Sequence, residues 1–207
     1  MPTITVTHII QTMDTTQTYK NAAAKAKEDG HFSVAARFLE CAGHARVTEG
    51  KLKDAAICYV DAADAYLLDG VLLKANAALE TAAFVLVDLN QFDKVAPVFD
   101  RLGRSCLGMV FTRFNAKKHF LHAGMCRLAH GDVSGAKVAL VEYLSLDPAM
   151  RGSHEQKLFD ELIAAYEQLD MDAFMNAIVS YDNVVILNQR EVHLLCCIKN
   201  TMLQVPL

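Results

Sequence analysis

The chain has 207 residues, 53% hydrophobic and 21% charged, enough for one continuous core. Its formal net charge of -4 argues against a nucleic-acid protein, which carries a concentrated basic excess. No apolar run reaches the roughly 20 residues a bilayer span needs, and Met1–Met13 lacks the positive start and cleavage site of a secretory leader.

Residues 1–16 read as a lead-in whose structure the sequence determines poorly. The alternation of Ile4, Val6 and Ile9 fits a loose strand, an anchor or a disordered segment, with disorder or loose packing preferred. Beyond them, short turns separate alanine-rich amphipathic stretches at Asp29-Gly30, Glu49-Gly50, Asp69-Gly70, Leu89-Asn90, His130-Gly131 and Asp170-Met171. Glycine or asparagine tolerates the left-handed conformation that ends a helix, so these turns are helix stops. The spacing predicts helices near 17–29, 32–48, 52–68, 72–88, 92–106, 112–129, 133–146, 153–169, 172–181 and 188–203. In the third, Ala55, Ala56, Tyr59, Ala62, Ala63 and Tyr66 recur at three- and four-residue steps. Pro97 falls in the first turn or two of the fifth, where a missing amide is tolerated or causes a kink. Ser153 and Gln156 form a capping box at the start of the eighth. After four of the turns the same phrase returns, as in Gly30-His31-Phe32 to Ala35 and Gly131-Asp132-Val133 to Ala136. A helix and a turn make one unit, and two units make a helical hairpin. With no linker rich in glycine, serine or proline, residues 17–207 are expected to form a single all-α helical-repeat domain, a class whose usual work is holding other proteins.

Little in the chain points to chemistry. His119, His122, Cys126 and His130 share one helical face, but one straight helix does not wrap four ligands around a tetrahedral ion. The preferred reading is ordinary solvated and half-buried side chains, with no metal and no cofactor. Gly103 to Gly108 lacks the lysine and glycine spacing of a phosphate loop. The carboxylates of 160–172 read as a solvated face or a docking patch, so no catalytic residue is expected and the chain is read as a non-enzyme. Six cysteines without a CxxC pair are expected to be buried, reduced thiols of a cytosolic protein. Arg113 and Lys117 lie four apart with Lys118 beside them, a local cationic face that is either scattered solubilising charge or a site for an acidic partner.

Arg113-Phe114-Asn115-Ala116-Lys117 with Phe120, Ala136-Lys137-Val138-Ala139 with Tyr143 and Pro148, and Lys157-Leu158 with Tyr181-Asp182 resemble the soluble NSF attachment proteins, alpha type. Upstream, Gly30-His31-Phe32 with Ala35-Ala36-Arg37, Ala75-Asn76, Gln91-Phe92 and Lys94 resemble the same family. The resemblance implies a right-handed solenoid like that of tetratricopeptide repeats (TPR-like), built of antiparallel hairpins and capped by a C-terminal helical bundle. It implies a cytoplasmic adaptor, peripheral to membranes through its partners, which are a SNARE four-helix bundle and the hexameric ATPase NSF. Vesicle fusion and intracellular protein transport are the processes implied, with no nucleic acid involved. By position, Arg37, Phe111, Arg113 and Lys117 would face the SNARE bundle, and Asp132, Glu167 and the terminal Leu207 would face NSF. Where relatives have basic residues this chain has His31, Ala77, Thr81 and His154, which predicts weaker SNARE binding. The chain is also expected to begin well inside the family pattern, without the apolar loop that relatives insert into membranes. It lacks their acidic run before the C-terminus, so a weak or inhibitory form is one expectation. A scaffold reused for an unrelated protein partner is the alternative.

Overall fold

The computed structural model describes residues 6–204, with side chains from Thr15 onward. Ten α-helices account for most of them: α1 (Val6–Glu28), α2 (Phe32–Thr48), α3 (Leu52–Leu68), α4 (Leu72–Asp88), α5 (Phe92–Leu107), α6 (Ala116–Ala129), α7 (Val133–Leu146), α8 (His154–Gln168), α9 (Met171–Asp182) and α10 (Gln189–Gln204). Two 3-10 turns, Arg113–Asn115 and Pro148–Met150, precede α6 and α8. No strand occurs among the described residues. The architecture is an all-α helical repeat.

One local device ends most of the repeats. Gly30, Gly50, Gly70 and Gly131 take positive φ values of 76°, 71°, 71° and 85°. At the first, the His31 N–H reaches back to the Ala26 carbonyl at 2.8 Å and the Gly30 N–H to Lys27 at 3.1 Å. That is the paired bonding of a Schellman motif, and it satisfies carbonyls the helix end would otherwise leave bare. The same pairs recur at Lys51 to Arg46, Val71 to Tyr66 and Asp132 to Arg127, each at 2.9 Å. Near Asp170 the left-handed residue is Leu169, at φ 51°, a conformation a leucine adopts only at an energetic cost.

Two expectations need correction. The first helix begins at Val6 rather than near residue 17, because nothing between Val6 and Glu28 is a glycine or proline that would stop it. Of the six cysteines, Cys58, Cys106 and Cys126 are buried, but Cys41 and Cys196 are exposed and Cys197 is half-buried. All six are free thiols. Pro97 lies in the second turn of α5, where it has no N–H to offer the Asp93 carbonyl one turn back. The capping box forms with a shift of one residue. Ser153 Oγ accepts from the Gln156 N–H at 3.2 Å, and the Gln156 side chain accepts from the Gly152 N–H at 2.7 Å.

The chain divides into two compact units between Leu89 and Asn90. In the first, α1 to α4 pack each against the next. Alanines with almost no exposure, such as Ala35, Ala42, Ala62 and Ala82, let the helices approach closely. Tyr59 and Tyr66 fill the remaining space, their hydroxyls on His44 Nδ1 at 3.1 Å and Glu40 at 2.9 Å. In the second unit α6 is the hub, packing against α5, α7, α8 and α10. Glycines set two of those contacts. A Cβ on Gly103 would lie 2.4 Å from the Phe120 ring, and one on Gly124 would lie 2.0 Å from Phe159. Phe120 then stacks on Tyr143 at 4.4 Å between ring centres. The Tyr143 hydroxyl donates to Asp100, which also pairs with Arg127 at 2.5 Å, tying α7, α5 and α6 together. No helix is long and apolar enough to cross a membrane, among the described residues.

Candidate protein-binding surface

Between α5 and α6 the chain makes a short protrusion. Its backbone is held by its own hydrogen bonds: Arg113 N–H to the Met109 carbonyl at 3.0 Å and Asn115 N–H to Thr112 at 2.8 Å. Within this bonded turn the large apolar side chains stay exposed. Val110, Phe111 and Phe114 are 87%, 88% and 69% exposed. Three large apolar side chains this bare within five residues resemble an anchor awaiting a partner more than scattered surface apolar residues. Arg113 is exposed among them and forms no ion pair among the described residues.

One turn further, Lys117 and Lys118 open α6. Cations are disfavoured at a helix N-terminus, where the backbone N–H groups already carry partial positive charge. Two buried carboxylates from other helices offset this. Lys117 Nζ lies 3.2 Å from Glu155 Oε2 on α8, and Lys118 Nζ lies 2.9 Å from Glu191 Oε1 on α10. Glu191 also contacts His122 Nε2 at 2.9 Å and accepts from the Asn188 N–H at 2.9 Å. Burial alone would raise its pKa, but these hydrogen bonds and Lys118 outweigh burial and hold it down to about 2.

Most of the histidine face is core rather than solvated, because α6 packs against four neighbouring helices. His119 and His122 are 8% and 1% exposed, Cys126 is fully buried, and only His130, in the following turn, is exposed. Desolvation, with the nearby His122 and Lys118, pushes His119 down to about 4. Burial pushes the Cys126 thiol far above its ordinary value, so it supplies no thiolate. Among the described residues no group of three or more His, Cys, Asp or Glu is placed to hold a metal ion.

The other residues singled out from the sequence fall in distinct places. Arg37 is exposed on α2 in the first unit, while Phe111, Arg113 and Lys117 belong to the second. Asp132 is exposed and caps α7, accepting from the Gly135 N–H at 2.8 Å. Glu167 is exposed on α8 and pairs with Lys137 at 2.5 Å. Asp132 and Glu167 lie toward the same end of the second unit, since Tyr166 Oη comes within 3.7 Å of where a Gly131 Cβ would stand. Arg113 and Lys117 are at the other end of α6, roughly 20 Å away at 1.5 Å per residue. His31 and His154 are exposed, as is Ala77, and Thr81 is half-buried with its hydroxyl bonded to the Ala77 carbonyl. Leu207 lies outside the described residues. Neither the pairing of Glu155 with Lys117 nor that of Glu191 with Lys118 was visible in the sequence, where the partners stand far apart. Val110 and Phe114 did leave a signal, as apolar residues flanking Phe111 just where the helix was expected to start.

Fold and surface together define an all-α helical-repeat protein with an apolar, cationic protrusion on its second unit. The family model for the soluble NSF attachment protein, SNAP, matches residues 4–203, and the chain belongs to that family. It is 28% identical over 183 residues to an alpha-soluble NSF attachment protein of Vitis vinifera, covering 88% of this chain and 63% of that protein. It is 30% identical to the alpha-soluble NSF attachment protein of Mus musculus over 174 residues, 84% of this chain and 59% of the mouse protein. A probable vesicular-fusion protein sec17 homologue of Neurospora crassa is 28% identical over 176 residues, with 82% and 60% covered. The chain thus spans about three-fifths of the length of these relatives.

Proposed function

We propose that this chain is an adaptor that binds assembled SNARE complexes, the ATPase NSF or both, and so acts in vesicle fusion and intracellular protein transport. It works by binding rather than by catalysis, on the cytoplasmic side of membranes and peripheral to them through its partners. The names of its relatives, NSF attachment and vesicular-fusion proteins, support the process. The observation that carries the binding mode is the protrusion, with Phe111 88% exposed beside the exposed cation Arg113. A buried aromatic anchor next to a charge that meets an acidic surface is the usual make-up of an energetic hot spot. Lys117 would add a further cationic contact on the second unit if its pairing with Glu155 gives way, and Arg37 is a separate cationic candidate on the first unit. Asp132 and Glu167, at the far end of α6, are the acidic residues offered to a basic NSF domain, and Leu207, which lies outside the described residues, is the third candidate for that contact.

The test is binding of the full chain to a purified, assembled SNARE bundle at low and physiological salt, followed by addition of NSF and ATP. Phe111→Ala/Arg113→Glu is expected to weaken binding by at least about 10-fold, since truncating a single hot spot costs about 2 kcal/mol. SNARE disassembly by NSF then separates a productive adaptor from a blocking one. A second reading, a helical scaffold turned to a different protein partner, is favoured by the pairing of Lys117 with Glu155, which takes one expected SNARE contact out of play. Absence of binding to both the bundle and NSF would select it.

A further inference from the structure

Lys117 and Lys118 are neighbours in sequence and each meets a buried carboxylate, yet the two pairs differ in what remains when the lysine leaves. Glu191 is 5% exposed and keeps two other donors, His122 Nε2 and the Asn188 N–H, both at 2.9 Å. Lys118, with its side chain 40% exposed, is therefore a surplus cation on an already satisfied anion. Glu155 is 8% exposed, and among the described residues its one ion pair is with Lys117. Even that contact, at 3.2 Å, is ionic without hydrogen-bond alignment, so Glu155 Oε2 is a buried oxygen with no hydrogen bond. Withdrawing Lys117 would strand a buried charge, a far larger penalty than loosening an exposed pair.

We infer that Glu155 is an internal competitor that locks Lys117 away from an acidic partner and limits how tightly the α6 end binds one, while Lys118 is the lysine free to engage. This rests on the reading above that the surface accepts an acidic partner. An acidic helix or loop approaching Arg113 would find Lys118 able to swing outward, because Glu191 retains its histidine and backbone bonds. Lys117 would stay with Glu155. The residue that sets the affinity is then one that touches no partner at all, buried on α8. Phe111 and Arg113 supply the anchor and the steering charge, and the Glu155–Lys117 pair decides whether a further cation joins them.

The test measures binding of the full chain to two probes, a poly-L-glutamate peptide and the assembled SNARE bundle, each at low and physiological salt. Glu155→Gln keeps the side-chain shape and removes the competing charge. It is expected to tighten poly-glutamate binding by about 5-fold at low salt, with the gain shrinking as salt screens the freed cation. The gain should vanish in Glu155→Gln/Lys117→Gln, which shows that it is delivered through Lys117. In the otherwise unaltered chain, Lys118→Gln should weaken binding by about 3-fold or more, whereas Lys117→Gln leaves it within about 2-fold. That asymmetry tests the inference even where Glu155→Gln fails to fold. Tightening of poly-glutamate binding without any SNARE binding would sustain the lock and sink the SNARE reading. Unchanged or weaker binding by a folded Glu155→Gln chain, equal losses from the two lysine variants, or no binding of either probe by any variant would each overturn the lock.

Discussion

Acidification from pH 7.5 to pH 5 should destabilise the second unit by about 2 kcal/mol, and His119 should account for most of that loss. His119 is 8% exposed on α6, with its ring stacked near Phe99 at 6.3 Å and its Nδ1 without a hydrogen-bond partner. Desolvation, His122 and Lys118 together lower its pKa from the ordinary 6.5 to about 4. The fold therefore holds the neutral form. As pH falls, the unfolded chain takes up a proton near 6.5, and the folded chain does so only near 4. The unfolded state binds more protons throughout that window, so stability is full above 6.5, declines as pH falls and has no more to lose below 4. The whole gap corresponds to about 3 kcal/mol, of which about 2 is lost by pH 5. Glu191, held at about 2, gives up its contribution mainly below its ordinary 4.5 and adds only about 0.2 kcal/mol in this range. Because the chain has no tryptophan, urea unfolding is best followed by circular dichroism at 222 nm, with hydrogen exchange of the α6 amides assigning the transition. His119→Leu should flatten the pH profile without a penalty at pH 7.5, since it removes an unsatisfied buried nitrogen. A wild-type profile flat to within about 0.5 kcal/mol, or an unchanged slope in His119→Leu, would refute the argument.

The same substitution made at two glycines should fail for different reasons. Gly124→Ala puts a Cβ 2.0 Å from the fully buried Phe159 ring, and the overpacking should exceed the gain in helix propensity to leave a net loss of about 2 kcal/mol. Thermal unfolding of the full chain would check it, and a melt unchanged from wild type would mean that α6 and α8 can separate at no cost. Gly50→Ala meets no atom within 4 Å, so its cost is the left-handed backbone at φ 71° alone, about 1 kcal/mol. Gly50→Asn should recover much of that loss in the same urea titration, and equal losses for both would point away from backbone conformation.

The helices were legible because their ends are written locally. A glycine that accepts positive φ, with an apolar residue two positions further on, fixes a stop through bonds that span only five residues. Helices α2, α3, α4 and α7 accordingly match the expected ranges, and most others differ by a residue or two. The exceptions follow the same logic: α1 runs back to Val6 where no stop exists, and the start of α6 is deferred to Ala116 by the 3-10 turn at Arg113–Asn115. Burial was less legible because it depends on how many neighbours a helix acquires. The histidine face of α6 looked half-exposed on a helical wheel, and became core once α5, α7, α8 and α10 closed around it.

The cationic surface was the hardest part to read, since its charge depends on partners distant in sequence. Arg113, Lys117 and Lys118 count as three cations in a linear reading, and local spacing cannot distinguish them. Glu155 and Glu191 arrive from α8 and α10 and, among the described residues, leave the three cations unequal: one without an ion pair, one held by a buried carboxylate whose Oε2 has no hydrogen bond, one resting on an anion already satisfied. The placement has a physical cause beyond recognition. Lysines in the first turn of α6 oppose the partial charge of its N–H groups, so the fold needs negative charge there whether or not a partner ever arrives. An acidic partner must then compete with a compensation the fold already makes, and its selectivity turns on which lysine can leave its carboxylate at the smaller cost.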